Sequence, residues 1–264
     1  MIDVSIVNRT APALTRNRLG KPFNRTAPAL TRDTVRNVNL GKRLEATDVN
    51  RTPGTARGYS MPGRAPIPTP PLPRPLKKPD LLRPAQRGQK MALGVAAGSR
   101  MQLRAGFGWN VRDARCDIDV SAFLLCEDRR VPSDEWFVFY GQPVSPDGAV
   151  RFSEDGREDR EVISLDLGRL SPDIQRIVFV MTIDEAVEHG LNFGMIQEAW
   201  MRITDSSGRE LVGYSPSELF ENVTSMTLGE LYLRNGEWRF NPVGNGVNTD
   251  LAGQCAVYGV EISG

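Results

Sequence analysis

The chain divides by the rhythm of its apolar positions. From about Gln86 onward, short β-branched and aromatic runs follow one another: "QKMALGV", "MQLRAGFGW", "CDIDVSAFLLC", "EWFVFY", "AVRF", "EVISLDL" and "IQRIVFVMTI". Clusters of Gly, Pro, Asp and Ser separate them, so each reads as a strand bounded by turns. "RITDSSGRELVGY" sets an Asp-Ser-Ser-Gly turn between two runs, and "GELYLRNGEWRFNPV" sets Arg-Asn-Gly-Glu between two more. Asn235-Gly236 is the strongest hairpin signal, because a two-residue type I′ turn needs positive φ at both positions. Helical pattern is confined to a short stretch near Asp184–His189 and a terminal one near Asp250–Val260. Closely spaced strands with few helices predict a mostly-β fold, a sandwich of two sheets with a few short helices.

Residues 1–85 lack that rhythm. "NRTAPALTR" occurs at Asn8–Arg16 and again at Asn24–Arg32, with a degraded echo, "NRTPGTAR", at Asn50–Arg57. The copies are too few and too poor in large apolar residues to stack into a solenoid. "APIPTPPLPRPLKKP" (Ala65–Pro79) reads as a stiff polyproline II spacer. Many Pro and Arg with no periodicity predict a disordered arm, 1–85, ahead of a folded body, 86–264. The plainer role for the arm is a tether. The sharper one makes each repeat a docking peptide for protein partners, with avidity from tandem linkage.

Charge deepens the division. The whole chain carries 33 Lys+Arg and 32 Asp+Glu. Residues 1–90 hold 18 basic against 5 acidic side chains, and residues 91–264 hold 15 against 27, none of the 15 being Lys. A basic arm on an acidic body points to charged partners. Nonspecific contact of the arm with an anionic surface or nucleic acid fits its charge. Only Phe23 and Tyr59 are aromatic there, which disfavours base stacking. The three cysteines, Cys116, Cys126 and Cys255, show no CxxC spacing, so thiols in a reducing cytoplasm are expected. "MIDVSIVNRTAP" lacks the apolar core of a signal peptide, and no stretch approaches the ~18 apolar residues that cross a bilayer. The expectation is a soluble, cytoplasmic protein.

The candidate chemistry lies in the acids of the body. In "CDIDVSAFLL", Asp117 and Asp119 fall on one strand face, side by side, where like charges repel. The loops beside them are acidic as well: "PSDEW" (Pro132–Trp136), "SPDG" (Ser145–Gly148) and "SEDGREDRE" (Ser153–Glu161). Asp117, Asp119, Asp134, Asp147, Glu154, Asp155, Glu158, Asp159 and Glu161 are therefore predicted to gather near one end of the sandwich. Oxygen ligands without His or Cys suit calcium, and a divalent cation would cancel the repulsion. The competing reading is of turn and rim acids, some paired with Arg157 and Arg160.

"GFGWN", "CDIDVSAFLL", "SDEWFVFYGQPVSPDGAV", "EDREVISLDLGRLSPDIQRIVFVMTI" and "GELYLRNGEWRFNPVGNG" together resemble the TerD-type tellurite-resistance and stress-response family over about Gln86–Gly264. The resemblance implies a calcium-binding β-sandwich tied to tellurium, oxidative and phage stress in bacteria, and leaves the arm outside. It carries the family's Asp-x-Asp strand onto Asp117 and Asp119, its Ser-Asp onto Ser133 and Asp134, and its Ser-Pro-Asp-Gly turn onto Ser145–Gly148. The family's long Gly- and Asp-rich loop shrinks here to "EDGREDRE". Glu154 and Asp155 take the Asp-Asn places, Asp159 and Glu161 keep two closing acids, and Arg160 replaces one Asp. Trp109-Asn110 and Tyr140-Gly141 stand where the family has Trp-Asp and Tyr-Asn. These departures imply weaker calcium binding, or a two-ion site reduced to one.

Catalytic machinery is hard to assemble. His189 is the only histidine, no nucleophile elbow accompanies it, and a helix-end position suits it better. "GFGWN" lacks the GxGxxG spacing, "GVAAGSR" is too short for a phosphate loop, and Trp109, Trp136, Trp200 and Trp238 read as core or sheet surface. Two hypotheses remain: a non-catalytic calcium-binding stress module, and a metal-independent scaffold that docks partners through its arm.

Overall fold

The computed structural model describes residues 71–155, 157–216 and 222–262. The repeats and residues 1–70 of the arm, expected to be disordered over 1–85, lie outside the described residues.

The β-branched and aromatic runs form the strands that the sequence predicts, most of them buried along nearly their whole length and only β1 and β11 alternating. The strands are β1 (Met91–Ala96), β2 (Gln102–Val111), β3 (Ile118–Leu125), β4 (Phe137–Val138), β5 (Val150–Glu154) and β6 (Glu161–Asp166). They continue as β7 (Arg176–Ile183), β8 (Ile196–Asp205), β9 (Glu210–Tyr214), β10 (Ser225–Arg234) and β11 (Glu237–Val247). One sheet runs β1-β11-β10-β7-β3-β4 and the other β5-β6-β2-β8-β9. All the strand pairs are antiparallel. The β10–β11 turn is the predicted hairpin, with Asn235 at φ 52° and Gly236 at φ 73°, as a type I′ turn requires.

The sheets pack face to face. Phe107 of β2 meets Phe179 of β7 with ring centroids 5.4 Å apart, and Leu103, Ala105, Val120, Ala122, Leu124, Ile177 and Met181 are all buried. Removing that apolar surface from water is the main stabilising term, at about 25 cal/mol per Å². The four tryptophans are buried too.

Two short helices follow the sequence pattern: α1 (Ala186–His189) and α2 (Leu251–Tyr258). The Asp250 side chain caps α2 by accepting the Gly253 amide at 2.8 Å. The α2 helix covers the outer face of the six-stranded sheet, where Tyr258 lies 4.5 Å from Phe123 and Gln254 donates to Ser225 Oγ at 2.6 Å. Strand β3 is therefore buried on both faces except at its start, which explains why its second face turns apolar only after Ser121.

Residues 76–85, basic and Pro-rich like the arm, run along the body. Asn110 Oδ1 accepts the Leu76 amide and its Nδ2 donates to the Leu76 carbonyl, both at 2.9 Å. Lys78 Nζ reaches Ser215 Oγ at 2.9 Å, and the Arg83 amide donates to Glu210 Oε1 at 2.8 Å. Pro84 forms a parallel bridge with Gly213 of β9, where the Ala85 amide and Arg83 carbonyl bond Gly213 at 2.8 and 3.0 Å. An edge strand has unpaired amides and carbonyls, and this strap satisfies those of Gly213.

Asn110→Ala removes both bonds to Leu76 from a buried site, and stability should fall by about 1–3 kcal/mol. Urea unfolding measures that loss, and hydrogen exchange should show earlier labelling at residues 74–85 than elsewhere in the sheet.

Candidate functional site

The register of β3 against β7 builds the acidic corner. Ile118 pairs with Ile183 and Asp119 with Thr182, which sets Asp117 beside Asp184; the Asp184 amide donates to the Asp117 carbonyl at 2.8 Å. Asp119 projects from the outer face of the six-stranded sheet, on the row that α2 covers farther along. Strand β4 pairs with β3 only at Ala122 and Phe123. Beyond it, Glu161 of the opposite sheet, itself 7% exposed, accepts the Val120 amide through Oε2 at 2.6 Å. One carboxylate thus ties the two sheets together at the corner.

Tyr140 stands among these acids. Burial pushes its hydroxyl well above the ordinary tyrosine range, and Asp119, Asp184, Asp117 and Glu161 push it further in that order. Negative charge nearby disfavours a phenolate, so Tyr140 stays protonated and able to donate. Beside it opens a pocket of about 110 Å³ whose apolar side is formed by Ile183, Ala186, Leu251 and Ile262. Asp119, Asp184, Glu185, Glu188 and Asp250 also line it.

Asp155 and Asp159 meet different partners on the outer face of the five-stranded sheet. Asp159 is fully buried. Arg104 Nη1 donates to it at 2.7 Å, Arg202 Nη2 at 3.1 Å and the Trp200 indole at 3.4 Å. Asp155 pairs with Arg104 at 2.9 Å and accepts the amides of Glu158 and Asp159. Burial raises the Asp155 carboxyl, but the Asp159 amide, Arg104 and the Glu158 amide outweigh it and hold it below its ordinary value. Glu158 is lowered first by its hydrogen bond from Arg202. Glycine makes the room: a Cβ on Gly106 would lie 2.1 Å from Asp159 Oδ2, and one on Gly108 2.1 Å from the Trp200 ring. Arg160 turns away, donating to the Trp109 carbonyl at 2.7 Å and to the Arg74 carbonyl at 3.1 Å.

The other candidate acids organise loops. Asp147 accepts Ser145 Oγ at 2.6 Å and the amides of Ala149 and Ser171 at 2.9 and 2.8 Å. Asp134 accepts the Glu261 amide at 2.8 Å; burial raises its carboxyl, with that bond opposing. Glu154 ends β5, opposite Glu161. Of the predicted set, the structure places Asp117, Asp119 and Glu161 at the corner, and gives Asp134, Asp147, Asp155 and Asp159 other partners.

The sequence reading missed Tyr140, Asp184, Glu185 and Asp250 as corner residues, and Arg104 and Arg202 as partners of the loop. A signal existed for Asp184: pairing the "DIDVSAFLL" run antiparallel to "IVFVMTID" sets Asp184 against Asp117. The alternation of Arg104 with two glycines was a second signal. His189 is exposed and lies 2.9 Å from Glu185. The Cys116, Cys126 and Cys255 thiols are free and pushed by burial to about 11, 11 and 12, so they are un-ionised near neutrality. Among the described residues no helix is long and apolar enough to cross a membrane.

Comparison with known proteins bears on the same segment. The family profile described as the TerD domain matches residues 84–258. Tellurium resistance protein TerD of Serratia marcescens is 35% identical over 186 residues, covering 67% of this chain and 97% of that protein. General stress protein 16U of Bacillus subtilis (strain 168) is 32% identical over 186 residues, covering 67% of this chain and 96% of that protein. A solved structure of a telluride resistance protein (TerD) homologue from Streptomyces coelicolor A3(2) aligns at a TM-score of 0.45 and 20% identity, covering 60% of this chain and 96% of that one.

Two outcomes follow from the buried Asp159. Gly106→Ala drives a methyl into its carboxylate and should cost about 3–5 kcal/mol, the scale of breaking a buried pair, read by urea unfolding. For pH, Glu158 is held below its ordinary value of 4.5, first by its hydrogen bond from Arg202. Its stabilisation is complete above that value and is lost as pH falls through the lowered one. The stability gap between wild type and Arg202→Gln should therefore stay constant from about pH 5 to 8 and shrink below about pH 4, measured by thermal melts across that range.

Proposed function

The chain belongs to the TerD family, and from that premise we propose that it is a non-catalytic stress-response module whose body binds calcium at the corner around Tyr140. The ligands in this reading are the carboxylates of Asp117, Asp119, Asp184 and Glu161. The observation that carries it is strand register: β3 pairs with β7 so that Asp117 lies opposite Asp184, with Asp119 next on the same strand, and Glu161 reaches across from the other sheet to the Val120 amide. Their donors are oxygens only, which suits a hard cation of flexible coordination. Among the described residues no three His, Cys, Asp or Glu side chains are already gathered around one point. Binding would therefore draw the carboxylates inward, trading their repulsion for ligation.

The loop from Asp155 to Glu161 supports one ion rather than two. There the positive charge next to Asp155 and Asp159 is supplied by Arg104 and Arg202, as an internal substitute for a metal. The two relatives are named for tellurium resistance and general stress, and neither name states a catalysed reaction. His189 is exposed and paired with Glu185, an arrangement that suits a solvated helix end. Binding that stabilises one form of the body, for recognition by protein partners, is the mode of action this arrangement favours.

Calcium in hundredfold excess over its Kd should raise stability by about 2.7 kcal/mol, seen as a higher Tm against chelator, with magnesium giving less. Asp119→Asn/Asp184→Asn should abolish the rise while still folding, since it also relieves repulsion. Equal melting temperatures of the wild type in calcium and in chelator would leave the metal-independent scaffold as the function.

A further inference from the structure

The pocket beside Tyr140 combines two features that a cation site alone does not need. One is its apolar wall of Ile183, Ala186, Leu251 and Ile262, with Val187 at its edge 69% exposed to solvent. The other is the set of carboxylates from Glu185, Glu188 and Asp250 beyond those nearest Tyr140. Among the described residues no Lys or Arg lines it. An apolar recess rimmed by acids fits a segment with small apolar residues between two cations.

The chain carries that segment twice. In Asn8–Arg16 and Asn24–Arg32, Ala-Pro-Ala-Leu lies between Arg9 and Arg16 and between Arg25 and Arg32. We propose that these repeats are ligands for the body's own pocket, each seating its Ala-Pro-Ala-Leu on the apolar wall and its flanking guanidinium groups against the rim carboxylates. Arginine forms such pairs with two parallel hydrogen bonds per carboxylate. The proline limits the conformational freedom lost on docking.

Geometry permits it. The Leu76 backbone is held by Asn110 and the Arg74 carbonyl by Arg160, at the end of β2 from which the chain passes directly into Asp117. The arm therefore joins the body at the same end of the sandwich as the pocket. Thirty-eight residues lie between Arg32 and Pro71; a random path of that length spans about 30–40 Å, and a fully extended one about 130 Å. Tethering at that reach supplies an effective concentration in the millimolar range, so a weak peptide contact suffices for occupancy. A second copy of the peptide raises occupancy without any new contact. The chain's division into a basic arm and an acidic body then has a structural purpose: each half holds the counter-charge of the other.

The test uses the full chain, dilute and in chelator, so that its result is independent of whether calcium binds. A photo-reactive benzoylphenylalanine replaces Val187, and adducts are mapped by mass spectrometry. The expected result is adducts concentrated in residues 8–16 and 24–32 within single chains. They should fall about tenfold when Arg9, Arg16, Arg25 and Arg32 become Ser, and at least severalfold in Glu185→Gln/Glu188→Gln, but hold when Arg36, Arg43, Arg51 and Arg57 become Ser. The arm substitutions leave the body untouched, so misfolding does not confound them. Adducts scattered along the arm in proportion to length, adducts indifferent to the repeat arginines, or adducts formed only between two chains would overturn the proposal.

Discussion

A carboxylate with no access to water, Asp159, sets the terms for one whole side of the sandwich. An isolated buried charge costs several kcal/mol, so its neighbours are constrained together. Arg104 and Arg202 must stand on adjacent strands, and β2 pairs with β8 in the register that sets them there. Gly106 and Gly108 must lack side chains to leave room for the carboxylate and for Trp200 lying beside it. Once Asp159 is fixed, the next turn of chain is fixed as well. Arg160 is directed toward Trp109 and the strap, and Glu161 enters β6 aimed across at Val120. The far sheet is thereby joined to the corner that carries the remaining acids.

The body contains two answers to the same electrostatic problem. Along the five-stranded sheet, acids are neutralised permanently by guanidinium groups from neighbouring strands. At the corner near Tyr140, Asp119, Asp184, Glu185, Glu188 and Asp250 line a recess that no Lys or Arg lines among the described residues. The first arrangement gives rigidity, and the second gives a site that responds to its surroundings. The two proposals, a calcium ion and the arm's basic repeat, call on one negative surface, so if both hold the two ligands compete.

The fold was legible because its signals are local and periodic. Short β-branched and aromatic runs bounded by turn residues marked the strands, and Asn235-Gly236 fixed one hairpin with residues that tolerate positive φ. The site was legible only in part. Asp117 and Asp119 are sequence neighbours, so their crowding shows in the text itself. Asp184 joins them through strand pairing, which the text encodes only once β3 and β7 are aligned. Asp155 and Asp159 read as metal ligands because acids in a loop look alike whatever neutralises them; Arg104 and Arg202 stand some fifty residues before and forty after. Asp147 followed ordinary turn chemistry, accepting nearby amides, and Asp134 went to the C-terminal segment. The strap was obscured by composition: Pro-rich chain reads as spacer, but its free carbonyls and few amides are enough to pair with a sheet edge.

That strap has a consequence for solubility. On its side away from β8, β9 has no neighbouring strand among the described residues, and residues 83–85 bond Gly213 where one would lie. A chain cleaved just before Gln86 would bare an edge able to pair with the same edge of another molecule, the usual route from folded β-protein to aggregate. The segment that looks like a disposable leader is thus also a chaperone in cis, keeping an unfinished sheet from recruiting its own copies.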